Sequence, residues 1–491
     1  MKNAALIAIL GASLATAASG CGSDTRPGTD ECDPACGAGE VCMGGVCQVD
    51  GCLPGDREAC YTGPVGTEGV GACTPGMRTC TGGGTWGICV GEVTPSMETC
   101  GNGIDENCSG QADEDADLDG DGYSTCDGDC CDSTECGQPA LVNPGAFEDP
   151  TNMVDDDCDQ IRDNALISCD AGLLSNSGEP LDYARALDLC QFTDEASLRW
   201  GVLSATLSLP DGGAIPPAAN SRAIRDGFGT NNAPRLGSSL VVLSTGHAAD
   251  ASDANPPFAA FDFGQDMRTT SALPADYMSA NAGVLPNAPG CPPPTSTTAN
   301  DAVMLTLRIR VPSNARSFSL SSSFLSAEYP EYTCTQYNDF FVILLDSTYA
   351  ATPPNPTDKN LAFYEPPSMV GTRYPVGVNL AAGNTGLFRQ CVNGPAGCNG
   401  DVTFQHTVCE GTTELAGTGM DRSDFGCSTF GGQMVGGGTG WLVTAGNVVP
   451  GEIITLRIAI WDTSDHVLDS VALIDNFKWS VEAADPGTVI D

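Results

Sequence analysis

The stretch DADLDGDGYSTCDGDCCD, Asp115 to Asp132, carries an acidic residue at almost every second position and is flanked by cysteines. Hard cations such as calcium take six to eight oxygens, and carboxylates two residues apart on a turning loop can converge on one ion. Asp115, Asp117, Asp119 and Asp121 have that spacing, with glycines at 120 and 122. Between residues 101 and 163 there are 19 Asp or Glu against a single basic residue, Arg162. So much like charge would swell the segment unless cations bind it, so a divalent cation is the expected partner. Copper is not expected: it favours imidazole and sulfur donors, and His247, His406 and His466 all lie outside the cysteine-rich half.

An internal repeat frames this stretch. IDENCSGQAD, Ile104 to Asp113, recurs as VDDDCDQIRD, Val154 to Asp163, with Asp105, Cys108 and Asp113 answered by Asp155, Cys158 and Asp163. An EF-hand loop needs glycine at its sixth place and glutamate at its twelfth. Frames starting at Asp115 and at Asp117 both supply the glycine, but their twelfth places are Cys126 and Gly128, which excludes an EF-hand. The loop looks more like the calcium loops of thrombospondin type 3 repeats, and that resemblance implies that later aspartates, here Asp127, Asp129 and Asp132, complete the shell. A closer resemblance covers residues 98–163, where ETCGNGIDENCSG, DLDGDGYSTCDGDCCD, NPGA and DDDCD are similar to the metal-binding motif family named after the copper-binding surface protein MopE. The chain departs from that pattern at Cys131, and at Gln160 where the closing loop usually has glycine. The resemblance implies a metal-binding module, and its all-carboxylate donor set makes calcium the expected cofactor.

A net charge of −43 argues against nucleic acid or an anionic membrane surface as partners. The opening MKNAALIAILGASLATAASGC reads as an export signal, too short to span a membrane. Its end, Ala18 to Cys21, resembles the lipobox of bacterial lipoproteins. That resemblance implies cleavage after residue 20, lipidation at Cys21, a tether over 21–31, and an exported protein held at the outer membrane or cell surface through lipid alone. Apart from Cys21, 16 cysteines fall between residues 22 and 163 and 8 after 164. Both counts are even, so each segment can close its own disulfides, as suits an exported chain. Residues 32–97 read as small disulfide-rich modules, beginning with CDPACGAGEVCMGGVC, which resembles an EGF-like knot.

Beyond residue 164 the composition turns β-like. AVMLTLRIRVP alternates Val303, Leu305, Leu307, Ile309 and Val311 with Thr306, Arg308 and Arg310, and IITLRIAIWD repeats the pattern. DFFVILLDS and SVALIDNFKWSVE are apolar on both faces and read as interior strands, and only Asp182–Cys190 reads as a helix, pinned by a Cys169–Cys190 bridge. The fold class is mainly β: an antiparallel sandwich or jelly roll over 164–483, followed by a tail over 484–491 and preceded by the disulfide-rich acidic region. SAEYPEYTCTQYNDFFVILLDS and ITLRIAIWDTSDHVLDSVALIDNFKW resemble the choice-of-anchor L family of surface β-domains, which implies surface attachment without implying a reaction. Within it Asp339, Asp462, Asp465, Asp469 and Asp475 gather around strand ends as a second candidate metal set, and Glu328, Tyr329, Glu331 and Tyr332 read as an exposed patch. His466 can pair with Asp462 or Asp465. Ser244 and His247 lie close in sequence, but no nucleophile elbow or phosphate loop accompanies them, so no enzyme is expected. The function expected is display of the sandwich for adhesion or scaffolding; a carbohydrate-binding module, with a surface glycan or protein as partner, is the alternative, and an exported hydrolase the remotest.

Overall fold

Period-two alternation makes one face of a strand apolar, and two such faces bury each other. In the computed structural model of the chain, that rule organises the C-terminal part. The structure describes residues 40–43, 46–49, 52–96, 98–113, 117–132, 137–164, 168–261, 267–399, 402–422, 427 and 436–491. Cys21, the leader and tether, most of the EGF-like segment and Asp115 lie outside the described residues. The chain divides into two compact units, residues 1–114 and 115–491, so the acidic segment read from 98 to 163 runs across the division.

The first unit has short hairpins, Glu40–Met43 with Val46–Val49 and Arg57–Cys60 with Gly76–Thr79. Disulfides Cys52–Cys80, Cys60–Cys89 and Cys73–Cys108 take the place of a core.

The second unit is an antiparallel β-sandwich. Its strands are β1 (Gly201–Ser208), β2 (Arg222–Arg225), β3 (Leu240–Ser244), β4 (Thr270–Ala272), β5 (Thr298–Arg310), β6 (Ser317–Ser326), β7 (Phe340–Asp346), β8 (Gly437–Asn447), β9 (Ile453–Asp462), β10 (Ser470–Ser480) and β11 (Gly487–Ile490). One sheet has the order β11-β8-β6-β10-β3-β2, and the other β7-β9-β5-β1 with β4 on β5. Val303, Leu305, Leu307, Ile309, Ile454, Leu456, Ile458 and Ile460 face Leu320, Phe324, Ala472 and Ile474 across the shared core, as the alternation requires. The reverse face of the smaller sheet is also covered, because Met304, Phe340, Val342 and Trp461 pack with Tyr277 and Leu273.

Strand β10 lies inside its sheet, but β7 is an edge strand. It is apolar on both faces because Phe341, Ile343 and Leu345 enter the main core while Phe340, Val342 and Leu344 pack on the reverse face, and residues 359–377 cover its free edge, with Phe341 donating to the Val376 carbonyl and Leu345 to that of Lys359. Helix α1 spans Pro180–Arg185, two residues earlier than the sequence suggests, since proline is well placed in a first turn. A second short helix, α2 (Ala275–Ala280), has no periodic sequence signal and is held by Tyr277 in the core. All eight late cysteines pair among themselves, as Cys169–Cys190, Cys291–Cys334, Cys391–Cys409 and Cys398–Cys427. No helix among the described residues is long and apolar enough to cross a membrane.

Candidate metal centre

The fifty-residue repeat is a repeat of backbone geometry. In the first copy Asp105 accepts from the N–H groups of Ser109 and Gly110, Asn102 accepts from Ile104, and Asp113 accepts from Gly103. In the second, Asp155 accepts from Asp159 and Gln160, Asn152 from Val154, and Asp163 from Met153. Cys108 and Cys158 both adopt positive φ, at 62° and 57°. Each copy is thus an Asx-turned loop whose aspartates cap its own backbone. Gln160 has φ 76° where the first copy has Gly110 at 103°. A side chain there is strained, so Gln160→Gly is expected to stabilise the folded chain by about 1 kcal/mol, read as a raised thermal midpoint. A lowered midpoint would contradict that account.

The second copy also clusters acids: Glu148, Asp155 and Asp157 offer oxygens within 4.8 Å of one another. In the first copy Asn107 stands where the second has Asp157, and both Glu98 oxygens accept backbone N–H groups, from Asn107 and Asp113.

Between the copies, the loop from Asp117 to Asp132 turns back on itself. Asp117 accepts from the N–H groups of Gly120, Asp121 and Gly122. Burial would raise its carboxyl, but those three donors hold it below the usual carboxylate value. Asp121 accepts from Tyr123 N–H and from the Asn143 side-chain amide at 2.6 Å. Asp127 forms a capping box with Ser124 around the turn Thr125–Asp127. These three carboxylates build the loop.

Asp119, Asp129 and Asp132 stand differently. Each accepts one backbone N–H on a single oxygen, from Asp121, Cys131 and Leu118 respectively. The second oxygen of each is buried and meets no donor. The three groups offer oxygens within 4.8 Å of one another, with Asp117 and Asp121 adjoining through Asp119. Burial, and then the charges of Asp121, Asp119 and Asp132, push the Asp129 carboxyl up to about 6. Burial likewise raises Asp119, with Asp117 and Asp132 adding to it. Buried oxygens without hydrogen donors in an all-oxygen cluster are what a hard cation would satisfy.

The loop is fastened to the sandwich through the NPGA turn, Asn143 to Ala146. The buried Asn143 side chain donates to Asp121 and accepts from Ser313 Oγ at 2.6 Å and from Gly145 N–H at 2.9 Å. Phe147 and Asn314 exchange two hydrogen bonds of 2.9 Å, and Phe147 enters the main core. Tyr123 lies against Gly145 so closely that any side chain at 145 would overlap its ring. That contact ties the DGDGY and NPGA elements together, and the Cys130–Cys158 disulfide staples the loop to the second repeat.

The second candidate set divides. Asp339 precedes β7 and Asp462 ends β9, next to the Phe340–Trp461 register pair. Asp462 reaches both Asp339 and Asp465. Asp469 instead lies against Gly246. Asp475 is five residues beyond Ser470 on β10, ~17 Å along the strand, and takes N–H donors from Arg235, Leu236 and Asn476. It faces Asp188, which burial and then Asp475 and Asp170 push up to about 7, Lys478 opposing. The native state therefore holds a proton that the unfolded chain releases, so this contribution to stability falls as pH rises from about 4 to about 7. Asp188→Asn should remove that fall, raising stability relative to the native chain by on the order of 1 kcal/mol at pH 8 with little change at pH 4. A difference independent of pH would contradict the shared-proton account.

The patch read as exposed is buried: Glu328, Tyr329 and Glu331 are 1%, 1% and 3% exposed, and Tyr332 is half-buried. Tyr329 donates to the Val392 carbonyl, while Gly436, Gly397 and Asn399 donate to the carbonyls of Tyr329, Pro330 and Glu331. Loops distant in sequence fold over it, which no local pattern signals. His466 pairs with Asp301 of β5 at 3.0 Å and also stands near enough to act on Asp465. Ser244 Oγ donates to the Ser470 carbonyl, and the His247 ring contacts Pro257 O and Asn220, so the two form no dyad.

Among known proteins, residues 227–478, just over half of the chain, match the family model described as Choice-of-anchor L domain. Residues 96–114 and 138–164 match the MopE-type model described as "Putative metal-binding motif". No curated protein and no solved structure matches.

Proposed function

This chain belongs to the choice-of-anchor L domain family, and from that premise we propose that it is a lipid-anchored surface protein whose acidic loop binds calcium as a structural staple. The bound ion stiffens the base on which the sandwich is displayed for adhesion or scaffolding. The observation that carries this reading is the trio of buried, donor-free oxygens on Asp119, Asp129 and Asp132. Their all-oxygen chemistry favours calcium over copper. Exported modules of this kind bind calcium at about 10⁻⁴–10⁻³ M, a level at which a staple outside the cell stays occupied. The Asn143 and Phe147 contacts supply the mechanical link from ion to sandwich.

Calcium and copper titrations of the full chain, disulfides intact, test the metal. Calcium should bind and raise the thermal midpoint, and copper should not compete for that site. No calcium uptake at several millimolar, or displacement by stoichiometric copper, would overturn the assignment. For the anchor, mass spectrometry of the native protein should find acylation at Cys21, and Cys21→Ala should release the protein from membranes; a soluble native protein without acylation would remove that part.

A further inference from the structure

At the end of the sandwich where β6, β7, β9 and β10 approach one another, the interior holds acids instead of apolar side chains. Glu328 follows β6, Asp339 precedes β7, Asp462 closes β9, and Asp465 lies in the turn leading to β10. Glu328, Asp339 and Asp462 are 1%, 0% and 2% exposed. Their placement is enforced by the backbone. Thr463 Oγ1 donates to the Asn338 carbonyl at 2.8 Å and accepts from Asn338 N–H, which locks the two chain segments side by side. The Asn300 amide donates to the Asp465 carbonyl at 2.7 Å, fixing the turn above them.

These carboxylates lack what buried carboxylates ordinarily have. Neither oxygen of Asp339 accepts a hydrogen bond that meets ordinary geometry, and one oxygen each of Glu328 and Asp462 is equally without a donor. Ser470 and Asp462 stand beside Asp339, and Asp462 also reaches Asp465. The charged neighbours of Glu328 are Asp339, Asp465 and Glu331, all acids. Those of Asp462 are Asp339, Glu328 and Asp465, again all acids. Burial raises all four carboxyls, Asp339 to about 8, and acidic neighbours add to it at Glu328, Asp339 and Asp462. An unpaired buried carboxylate is costly, and several facing one another more so. Among the groups that act on Asp465 a single basic residue occurs, His466, and its ring is engaged with Asp301.

We propose that Glu328, Asp339, Asp462 and Asp465 form a second cation site, inside the β-domain and separate from the acidic loop, that takes calcium. Four carboxylates arriving from three chain segments give oxygens only, the donor type of a hard divalent cation. Bound calcium would cancel the charge and clamp the ends of both sheets together, since Glu328 follows β6 of one sheet while Asp339 precedes β7 and Asp462 ends β9 of the other. The ion is internal, with Asp465 half-exposed at its outer side as the route of entry.

The test uses the full chain with the loop disabled by Asp119→Asn and Asp132→Asn. After dialysis into calcium, this chain should retain bound ion by metal analysis, and its thermal midpoint should fall on chelation. Adding Asp339→Asn should lower the stoichiometry by about one calcium per chain and abolish most of the chelator effect. If Asp339→Asn does not fold, Glu328→Gln, of the same shape and without the charge, serves with the same readout. A loop-disabled chain that takes up no calcium, or whose stoichiometry is unchanged by these substitutions, would overturn the proposal; the carboxyls would then be satisfied by shared protons. Because the loop is disabled throughout, failure here leaves the loop assignment standing, and loss of the loop assignment leaves this site standing.

Discussion

Asp119→Asn together with Asp132→Asn should weaken calcium binding at the acidic loop on the order of 100-fold or more, while Asp127→Asn should leave it nearly unchanged. The asparagines preserve volume and keep an oxygen for the N–H groups of Asp121 and Leu118, so the loop can keep its shape. What they remove is the charge on the two oxygens that no donor meets. Asp127 is equally acidic and equally close in sequence, but one of its oxygens is held by Ser124 and the residue is exposed instead of buried. The three-way comparison therefore separates ligands from loop builders. Calorimetry on the full chain reads it directly, and equal losses from Asp119 and Asp127 would mean that general charge, and no particular site, attracts the ion. At calcium concentrations 100 times the dissociation constant, occupancy stabilises the fold by about 2.7 kcal/mol, so the double variant should also lose its calcium-dependent rise in thermal midpoint.

Asn143→Ala should cost about 3 kcal/mol of stability and lower calcium affinity by roughly 10–100-fold, without touching a ligand. Asn143 is fully buried, and its truncation strands Ser313 Oγ, Gly145 N–H and one oxygen of Asp121 at once. Each stranded buried polar group costs about 1–3 kcal/mol, partly recovered where water enters. The affinity loss follows because Asp121 adjoins Asp119 and is held by that amide. Thermal denaturation with and without calcium separates the two effects. A variant as stable as the native chain, with unaltered calcium affinity, would show that the NPGA turn does not couple loop to sandwich.

Much of the fold was legible because it is encoded locally. The alternation of Val303 to Ile309 and of Ile454 to Ile460 specifies strands and their buried faces, and these residues meet in one core. The even cysteine count after residue 164 anticipated four self-contained bridges, Cys169–Cys190 among them. Strand β7 misled because its two apolar faces resemble those of an interior strand, whereas residues 359–377 supply its second neighbour without forming a strand beside it. Helix α2 left no periodic signal in six residues, and Glu328 to Glu331 seemed exposed because the backbone groups that meet them belong to Val392, Gly397, Asn399 and Gly436, far away in sequence.

At the site, sequence by itself determined the composition, spacing and repetition of the acids, and through them the class of ligand, since those properties belong to neighbouring residues. Tertiary structure decided which carboxylates are free to bind. In DADLDGDGYSTCDGDCCD every aspartate is chemically the same, and what differs is whether a backbone N–H or the Asn143 amide has already claimed its oxygens. The buried quartet shows the same division more sharply. Three of its members stood in the sequence within the second candidate metal set, mixed with Asp469 and Asp475, and the fourth, Glu328, as part of an exposed patch. Only the closing of two sheets brings them together and excludes the water that would otherwise have satisfied them.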